Sequence, residues 1–203
     1  MPLPFSKTLV RKRKREGRAA MNDPSISRDL ALDKVLFRRA KLQDIEGVHE
    51  VLEHAFRGLE GRGYSTQAIE AAIVTAEEIK KRIDFGGYVT VAGIGDRIIG
   101  TVTGLEEHKS MHVCSLAVHP EYQKCGVAHQ LMLHLEKTAH QQNCQKLFLC
   151  TAWAMKEAIR LYESLGYIRE GYLRNHFYGE DFILFSKFIK RGWKGQCGGF
   201  LNH

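Results

Sequence analysis

Residues Met111–Glu136 read M-H-V-C-S-L-A-V-H-P-E-Y-Q-K-C-G-V-A-H-Q-L-M-L-H-L-E. An apolar run ends at Val118 and is stopped by Pro120. After Gly126 the apolar residues recur at helical spacing, at Val127, Ala128, Leu131, Met132 and Leu135. The pattern predicts a strand, a short loop and a helix, and the rest of the chain can be read outward from them.

The loop from Gln123 to Ala128 offers consecutive backbone N–H groups at a helix N-terminus and has no carboxylate side chain. Gly126 permits a close approach of the backbone to a ligand. Such a loop favours phosphate binding. An ordinary strand-to-helix connection has the same pattern, so the loop alone leaves both interpretations open.

The composition indicates one globular domain with tails, because 44% of the 203 residues are hydrophobic and 26% are charged. We expect a cytoplasmic protein, since the sequence shows no apolar run of membrane-spanning length and no apolar core of a secretory signal. The cysteines form no CxxC pair, so we expect thiols rather than disulfides or a metal site. They are Cys114, Cys125, Cys144, Cys150 and Cys197.

Most of the formal charge of +7 belongs to the N-terminus. Residues 1–20 contain seven lysines and arginines against Glu16 alone, and therefore carry +6. The block Arg11–Arg15 fits an arm for nucleic acid, ribosome or acidic protein, a solvated tail, or a segment upstream of a start at Met21. We predict a disordered tail over residues 1–33, a domain over 34–190 and a flexible tail over 191–203.

The first half of the domain is predicted to be a helical layer followed by an antiparallel meander. A strand at Val35–Phe37 precedes an amphipathic helix from Ile45 to Phe56, and a Gly-rich loop then reaches Tyr64. Helical sequence follows from Ser65 to Ile83, with a break or a new helix at Thr75. Two strands then flank the turn Gly95–Asp96.

The second half continues the pattern of strand, helix and strand. The apolar run Lys146–Cys150 follows the Gly126 helix, and a crossover of this length implies parallel pairing with the strand before it. The next helix carries Tyr162 on its apolar face and ends at Gly166. Two further strands are predicted at about 167–175 and 181–188.

Two motifs resemble those of the GNAT N-acetyltransferases. Q-K-C-G-V-A, from Gln123 to Ala128, is similar to the acetyl-CoA pyrophosphate loop, written R/Q-x-x-G-x-G/A. A-I-R-L-Y-E-S-L-G-Y, from Ala158 to Tyr167, resembles the segment A-x-x-x-Y-x-x-x-G-F/Y. Their order and spacing extend the resemblance over residues 35–189.

The resemblance implies a mixed α/β GNAT fold, with six or seven strands, about four helices and a βαβ core that binds acetyl-CoA. The strands ending at Val118 and Cys150 would splay apart around the cofactor. Leu116, Ala117 and Val118 would pair with its pantetheine arm. The N–H groups of Gln123, Lys124, Cys125, Gly126, Val127 and Ala128 would hold the pyrophosphate. Met155 replaces an Asn that contacts the cofactor in many members.

The resemblance also implies direct attack of an amine on the thioester. His112 lies at the offset where members of the superfamily place a catalytic base, and a neutral imidazole accepts a proton near pH 7. A strand histidine that only hydrogen-bonds a neighbour is the alternative. The nearby turn offers further candidates for the base, namely Glu106, Glu107 and His108.

Tyr162 is the residue that the family would use as general acid toward the coenzyme A sulfur, although its spacing also suits simple packing. The carbonyl would be polarised by a backbone N–H at a bulge near Ala117 or Val118. Cys114 and Cys125 are conceivable nucleophiles, which the family's direct attack does not favour.

The stretch L-R-N-H-F-Y-G-E-D-F-I-L-F-S-K, residues 173–187, resembles the closing strands of ribosomal-protein and protein N-terminal acetyltransferases. Tyr64, Phe177 and Tyr178 are therefore predicted to seat the acceptor, unless the last two are ordinary strand aromatics. The expected function is acetylation of a protein or peptide amine, or of a small-molecule amine. The expected assembly is a monomer or homodimer, with no metal and no membrane association.

A different class of function is also open at this point. A non-catalytic GNAT module would bind acyl-CoA and reach a partner through its basic tail. Nucleic acid is an expected partner only through residues 11–15, because the rest of the chain is nearly neutral.

Overall fold

The computed structural model describes residues 32–62 and 64–189. The Arg11–Arg15 block, Cys197 and the predicted C-terminal tail lie outside the described residues. The last two positions of the predicted N-terminal tail belong to a short 3-10 turn, Leu32–Lys34.

Seven strands form one mixed sheet in the order β1-β2-β3-β4-β5-β7-β6. The strands are β1 Leu36–Arg39, β2 Tyr88–Ile94, β3 Arg97–Glu107, β4 Ser110–Val118, β5 Lys146–Ala152, β6 Ile168–Phe177 and β7 Glu180–Phe188. All neighbouring pairs are antiparallel except β4 and β5, which run parallel. The predicted mixed sheet, with parallel pairing across the crossover helix, is confirmed.

Five α-helices lie within the described residues. They are α1 Ile45–Arg57, α2 Thr66–Ala72, α3 Ala76–Asp84, α4 Val127–Gln141 and α5 Lys156–Ser164. The break predicted at Thr75 separates α2 from α3. Ser65 and Thr75 cap these helices by accepting the N–H groups of Ala68 and Glu78, respectively. None of the helices in the described ranges is long and apolar enough to cross a membrane.

Helices cover both faces of the sheet. On one face, α4 buries Leu131, Met132 and Leu135 completely against the sheet. On the other, α1 and α3 pack Leu52 and Ile79 into a second cluster. Burial of each such side chain contributes about 1.5–3 kcal/mol, so these helices are fixed mainly by their apolar faces.

The parallel pairing of β4 with β5 is short. It joins Ser110 to Lys146, Met111 to Leu147 and His112 to Phe148, whereas β5 pairs with β7 along its whole length. The edge of β4 that faces β5 is therefore unpaired with that strand from Val113 to Val118. The predicted splay of these two strands is present, and it opens a wedge in the middle of the sheet.

The connection before β4 is tighter than expected. The turn was expected to include Glu106, Glu107 and His108, but β3 continues through Glu107 and pairs it with Ser110. His108 and Lys109 make the turn alone, both with positive φ, of 46° and 65°. A two-residue turn of this kind matches the twist of an antiparallel pair, which explains the longer ladder.

Candidate active site

Two adjacent cavities occupy the wedge between β4 and β5. One has a volume of about 690 Å³ and extends from the wedge to the N-terminus of α4. The other, of about 420 Å³, lies between β4, β5 and the layer formed by α1–α3. Six residues line both, namely Phe56, Leu59, Tyr64, Leu116, Met155 and Ala158. We call the larger of the two the loop cavity and the smaller the sheet cavity.

The loop cavity contains eight of the nine residues predicted to bind the cofactor. They are Leu116, Ala117, Val118, Gln123, Lys124, Gly126, Val127 and Ala128. Cys125 does not line it, and the Cys125 thiol donates to the Gln123 carbonyl at 3.4 Å. Only the backbone of Cys125 is thus a candidate for contact with a ligand.

The loop before α4 has the backbone geometry of an anion site. Gly126 takes a φ of +82° and is the N-cap residue of α4, and the first residues of the helix, from Val127 to His129, line the cavity. The Gln123 side chain donates to the Val118 carbonyl at 3.0 Å and ties the loop to the end of β4. The N-terminus of a 15-residue helix suits a pyrophosphate.

Side chains add positive charge to the loop cavity. Lys124 and Arg62 line it, as does His129 in the first turn of α4, and Glu157 is the acidic member. The sequence analysis missed Arg62 and His129. The i+3 position of His129 after Gly126 was an available signal, whereas the approach of Arg62 depends on how the chain folds back after α1.

His112 is the last residue of β4 that pairs with β5, and it lines the sheet cavity. Its ring stacks on Phe148 of β5, with centroids 4.9 Å apart and planes 6° apart. Burial lowers the pKa of His112 below its ordinary value. The carboxylate of Glu107, whose Oε1 is 4.0 Å from Nδ1 of His112, raises this pKa, and the positive charge of Arg82 lowers it. At neutral pH the imidazole is therefore uncharged and able to accept a proton.

Tyr162 is buried in α5 and lines the sheet cavity. Its ring packs near Tyr167 and Phe185, at centroid distances of 5.9 and 5.8 Å. Burial raises the pKa of the Tyr162 hydroxyl, so this group is protonated at neutral pH and can act as a donor. Both roles considered for this residue, packing and proton donation, are compatible with its position.

The bulge in β4 is upstream of its predicted place. Thr103 pairs with Cys114 and Thr101 with Ala117, so Ser115 and Leu116 together face the single residue between the two threonines. Ser115 takes a positive φ of 53°. The bulge was expected near Ala117 or Val118, but both of these residues are back in register with β3. Arg82 of α3 donates to the Ser115 hydroxyl at 2.8 Å.

The predicted acceptor residues divide into two groups. Tyr64 lines both cavities and Phe177 lines the sheet cavity. Tyr178 lines neither; it is 55% exposed at the turn between β6 and β7 and contacts the Phe177 ring edge to face. Burial, with a contribution from Glu180, raises the pKa of Tyr64 to about 12.

Glu180 is a site residue that the sequence analysis did not single out. It lines the sheet cavity, and its Oε1 accepts the Ser65 N–H at 3.3 Å, which connects the β6–β7 turn to the start of α2. The neighbouring Asp181 is instead engaged by the Tyr172 hydroxyl and the Asn175 N–H. The sequence shows the acidic pair Glu180 and Asp181, but it does not show which of the two carboxylates faces the cavity.

The alternative bases and nucleophiles are less well placed to react in the two cavities. Among the other candidate bases, Glu106, Glu107 and His108 line neither cavity. Cys114 and Cys150 line the sheet cavity, and burial raises the pKa of both thiols, so neither is a thiolate at neutral pH. Met155 lines both cavities but offers no strong hydrogen-bonding group. Within the described ranges no cluster of three or more His, Cys, Asp or Glu residues could hold a metal.

A family comparison bears on the class of protein. Residues 76–167 match the model of the Acetyltransferase (GNAT) family. This part of the chain is similar to the GNAT acetyltransferases. The predicted resemblance, to acetyl-CoA-dependent N-acetyltransferases of this superfamily, is thereby confirmed. The matched segment runs from α3 to the residue before β6 and includes the bulge, the Gly126 loop and Tyr162.

Solved structures share the fold of this domain. The Escherichia coli ribosomal-protein-S18-alanine N-acetyltransferase is 18% identical, with a TM-score of 0.66 over 79% of this chain and 97% of that one. PaiA N-acetyltransferase from Thermoplasma acidophilum, solved in complex with coenzyme A, is 17% identical, with a TM-score of 0.64 over 74% and 97%. A ribosomal-protein-alanine N-acetyltransferase from Brucella melitensis is 17% identical, with a TM-score of 0.63 over 75% and 99%.

Proposed function

We propose that this GNAT domain transfers an acetyl group from acetyl-CoA to a primary amine of a protein or peptide, either an N-terminus or a lysine. The observation that carries the proposal is the pair of adjacent cavities that share Leu116, in the β4 bulge beyond the last pairing of β4 with β5 at His112. The loop cavity would hold acetyl-CoA and the sheet cavity the acceptor. The amine and the thioester would meet between His112 and Tyr162.

The proposed binding of acetyl-CoA uses mainly the backbone. The unpaired edge of β4 from Leu116 to Val118 offers strand-like hydrogen bonds to the pantetheine amides. The N–H groups before and at the start of α4 would bind the pyrophosphate, with Lys124 and Arg62 as nearby cations. Met155 would contribute only apolar contact.

In the proposed reaction the amine nitrogen attacks the thioester carbonyl carbon, and the carbon–sulfur bond breaks. The amine proton passes to the neutral His112, directly or through water. The Tyr162 hydroxyl donates a proton to the departing thiolate of coenzyme A. A backbone N–H at the Ser115–Leu116 bulge would polarise the carbonyl, in place of the downstream N–H expected from the sequence.

The walls of the sheet cavity support a peptide acceptor. They are largely apolar, with Phe56, Ile69, Phe177 and Phe182 among them, and Glu180 and Arg82 provide opposite charges. Such a cavity suits an amine attached to a bulky apolar group. Two of the similar structures are named as ribosomal-protein-alanine N-acetyltransferases, which is compatible with this acceptor class. A small-molecule amine is the other acceptor under this proposal.

The proposed setting is the cytosol. Cys114, Cys144 and Cys150 are thiols in the structure, which is typical of a reducing compartment. A monomer can carry the whole proposed site, because every residue named in it belongs to one chain. A homodimer is equally compatible with the proposal.

A coenzyme A release assay tests the proposed function. Wild-type protein and Tyr162→Phe would be compared on N-terminal peptides, lysine peptides, polyamines and aminoglycosides. We expect release above background with at least one peptide class, and a lower rate for Tyr162→Phe with unchanged acetyl-CoA affinity. Binding of acetyl-CoA without release on any acceptor, and without an effect of changing His112 or Tyr162, would favour the non-catalytic acyl-CoA module.

A further inference from the structure

The bulge of β4 receives a hydrogen bond from the opposite layer of the domain. Arg82, in the last turn of α3, directs Nη1 to the Ser115 hydroxyl at 2.8 Å and lies 3.7 Å from the Cys114 sulfur. The Arg82 side chain is only 19% exposed and lines the sheet cavity. The guanidinium therefore contacts the bulge from inside the proposed site.

The bulge is poorly held by the sheet itself. Its register with β3 shifts between Thr101 and Thr103, and β5 pairs with β4 only as far as His112. Ser115 also takes a positive φ, which is unfavourable for a residue with a Cβ. Such a conformation persists only where the surroundings enforce it. A hydrogen bond from a charged donor is the strongest of the side-chain contacts available for this purpose.

Arg82 is held in place independently of the bulge. Ile79, one turn earlier in α3, is fully buried against the sheet, and Ile83 packs against the same cluster. Glu78 lies 3.5 Å from Arg82 Nε and leaves the Nη1 group directed at Ser115. The anchored helix thus presents the guanidinium at a fixed position.

We propose that Arg82 is a positioning residue, whose guanidinium fixes the Ser115–Leu116 bulge and thereby orients the β4 edge from Leu116 to Val118. The meaning of this role for catalysis rests on the function proposed above. The structural part stands on the geometry of α3 and β4 alone. Arg82 acts through Ser115 and needs no contact with the reacting atoms.

A second consequence concerns the charge on His112. The charged groups that face this imidazole are Glu107 from the end of β3 and Arg82 from α3; Phe148 of β5 covers the ring without a charge. Cys114, its neighbour on the same face of β4, has a pKa raised by burial. Removing the Arg82 charge would leave Glu107 unopposed, so the pKa of His112 would rise.

The test uses the full-length protein without ligands. Arg82→Gln, Arg82→Lys and Ser115→Ala would be compared with wild type by amide hydrogen exchange at residues 116–118 and by NMR titration of His112. Lys81→Gln is the matched control, because Lys81 is the adjacent cation of α3 and pairs with Glu77 on the surface.

We expect Arg82→Gln and Ser115→Ala each to speed exchange at residues 116–118 about tenfold, the scale of one lost hydrogen bond. Only Arg82→Gln should raise the pKa of His112; Arg82→Lys retains the charge and should leave it close to wild type. Lys81→Gln should change neither quantity. If Arg82→Gln does not fold, Ser115→Ala and Arg82→Lys still decide the outcome.

Unchanged exchange at residues 116–118 in Ser115→Ala, and in Arg82→Gln where it folds, would overturn the proposal. A raised acceptor KM in Arg82→Gln with normal exchange would also overturn it, because Arg82 would then contact the acceptor instead. Titration with acetyl-CoA separates the two proposals. Failure of the wild-type protein to bind it would refute the proposed function, while the exchange result would still decide the role of Arg82.

Discussion

The two sides of the cleft are built in different ways. Half of the residues that line the loop cavity belong to one continuous stretch, residues 116–129, whose proposed contacts are backbone groups at a strand edge and a helix N-terminus. The sheet cavity collects side chains from α1–α3, β4, β5, α5 and the β6–β7 hairpin. One of its contacts, from the Ser65 N–H to Glu180, joins residues 115 positions apart.

The difference explains what each side can tolerate. A site made from backbone groups depends on chain conformation, so most side-chain changes leave it intact and a change of φ destroys it. A site made from side chains can change its ligand by single substitutions while the fold is retained. The proposed acceptor side can therefore diversify while the cofactor side remains the same.

The largest expected effect lies at the junction of the two sides. His112→Gln should lower kcat/KM roughly 100- to 10,000-fold, the usual contribution of a general base, with acetyl-CoA affinity unchanged. The substitution keeps a polar side chain of similar size but removes the titratable group. Steady-state kinetics with calorimetric binding of acetyl-CoA measures both quantities.

The pH dependence of His112 provides the control for that variant. Because burial lowers the pKa of His112 from 6.5, the neutral base persists through neutral pH and is lost only as the pH falls through the lowered value. Wild-type kcat/KM should therefore fall at acid pH as one group becomes protonated, and this fall should be absent from His112→Gln. An identical acid limb in both proteins would exclude His112 as the base.

A change of backbone conformation should break the cofactor side. Gly126 has a φ of +82°, and a Cβ there would lie 3.2 Å from Leu32 Cδ1. Gly126→Val should weaken acetyl-CoA binding roughly 100-fold, because a β-branched residue cannot hold this conformation without strain. Gly95→Val is the matched control, since Gly95 also has a positive φ but lies in the open β2–β3 turn. Equal affinities in the two variants would contradict a backbone-built site.

A smaller effect should separate two adjacent aromatics on the acceptor side. Phe177→Ala should raise the acceptor KM about tenfold by removing apolar contact, with acetyl-CoA affinity unchanged. Tyr178→Ala should leave the acceptor KM close to wild type, because Tyr178 lies outside the sheet cavity. Competition kinetics with an active peptide measures the ratio. A larger effect of Tyr178→Ala than of Phe177→Ala would indicate that Tyr178 is the residue that binds the acceptor.

The sequence predicted the elements well because their signals are local. The helical period after Gly126, the glycine at position 166 and the turn at Gly95–Asp96 each act within a few residues. The splay of β4 from β5 came from the family resemblance, and the structure places it at His112. The part of the cofactor side that belongs to residues 116–128 was therefore predictable, since it is one such stretch.

The acceptor side was less predictable because its geometry is set over long distances. The positive φ of Ser115 has no signal in M-H-V-C-S-L-A-V; it depends on the register with β3 and on Arg82 from another layer. The position of Tyr178 outside both cavities has a local signal in the sequence. Tyr178–Gly179 forms the turn between β6 and β7, with φ values of 47° and 86°, which turns the Tyr178 side chain away from the cavity.

The most direct test of the account is the initial-velocity pattern of the wild-type protein and of Cys114→Ser with an active acceptor. Two adjacent cavities and direct attack require both substrates to be bound together. We expect intersecting reciprocal plots for both proteins, with kcat of Cys114→Ser within about twofold of wild type, as for a cysteine that only packs. Parallel plots, with an acetylated cysteine in the protein and loss of activity in Cys114→Ser, would contradict direct transfer across the β4 bulge.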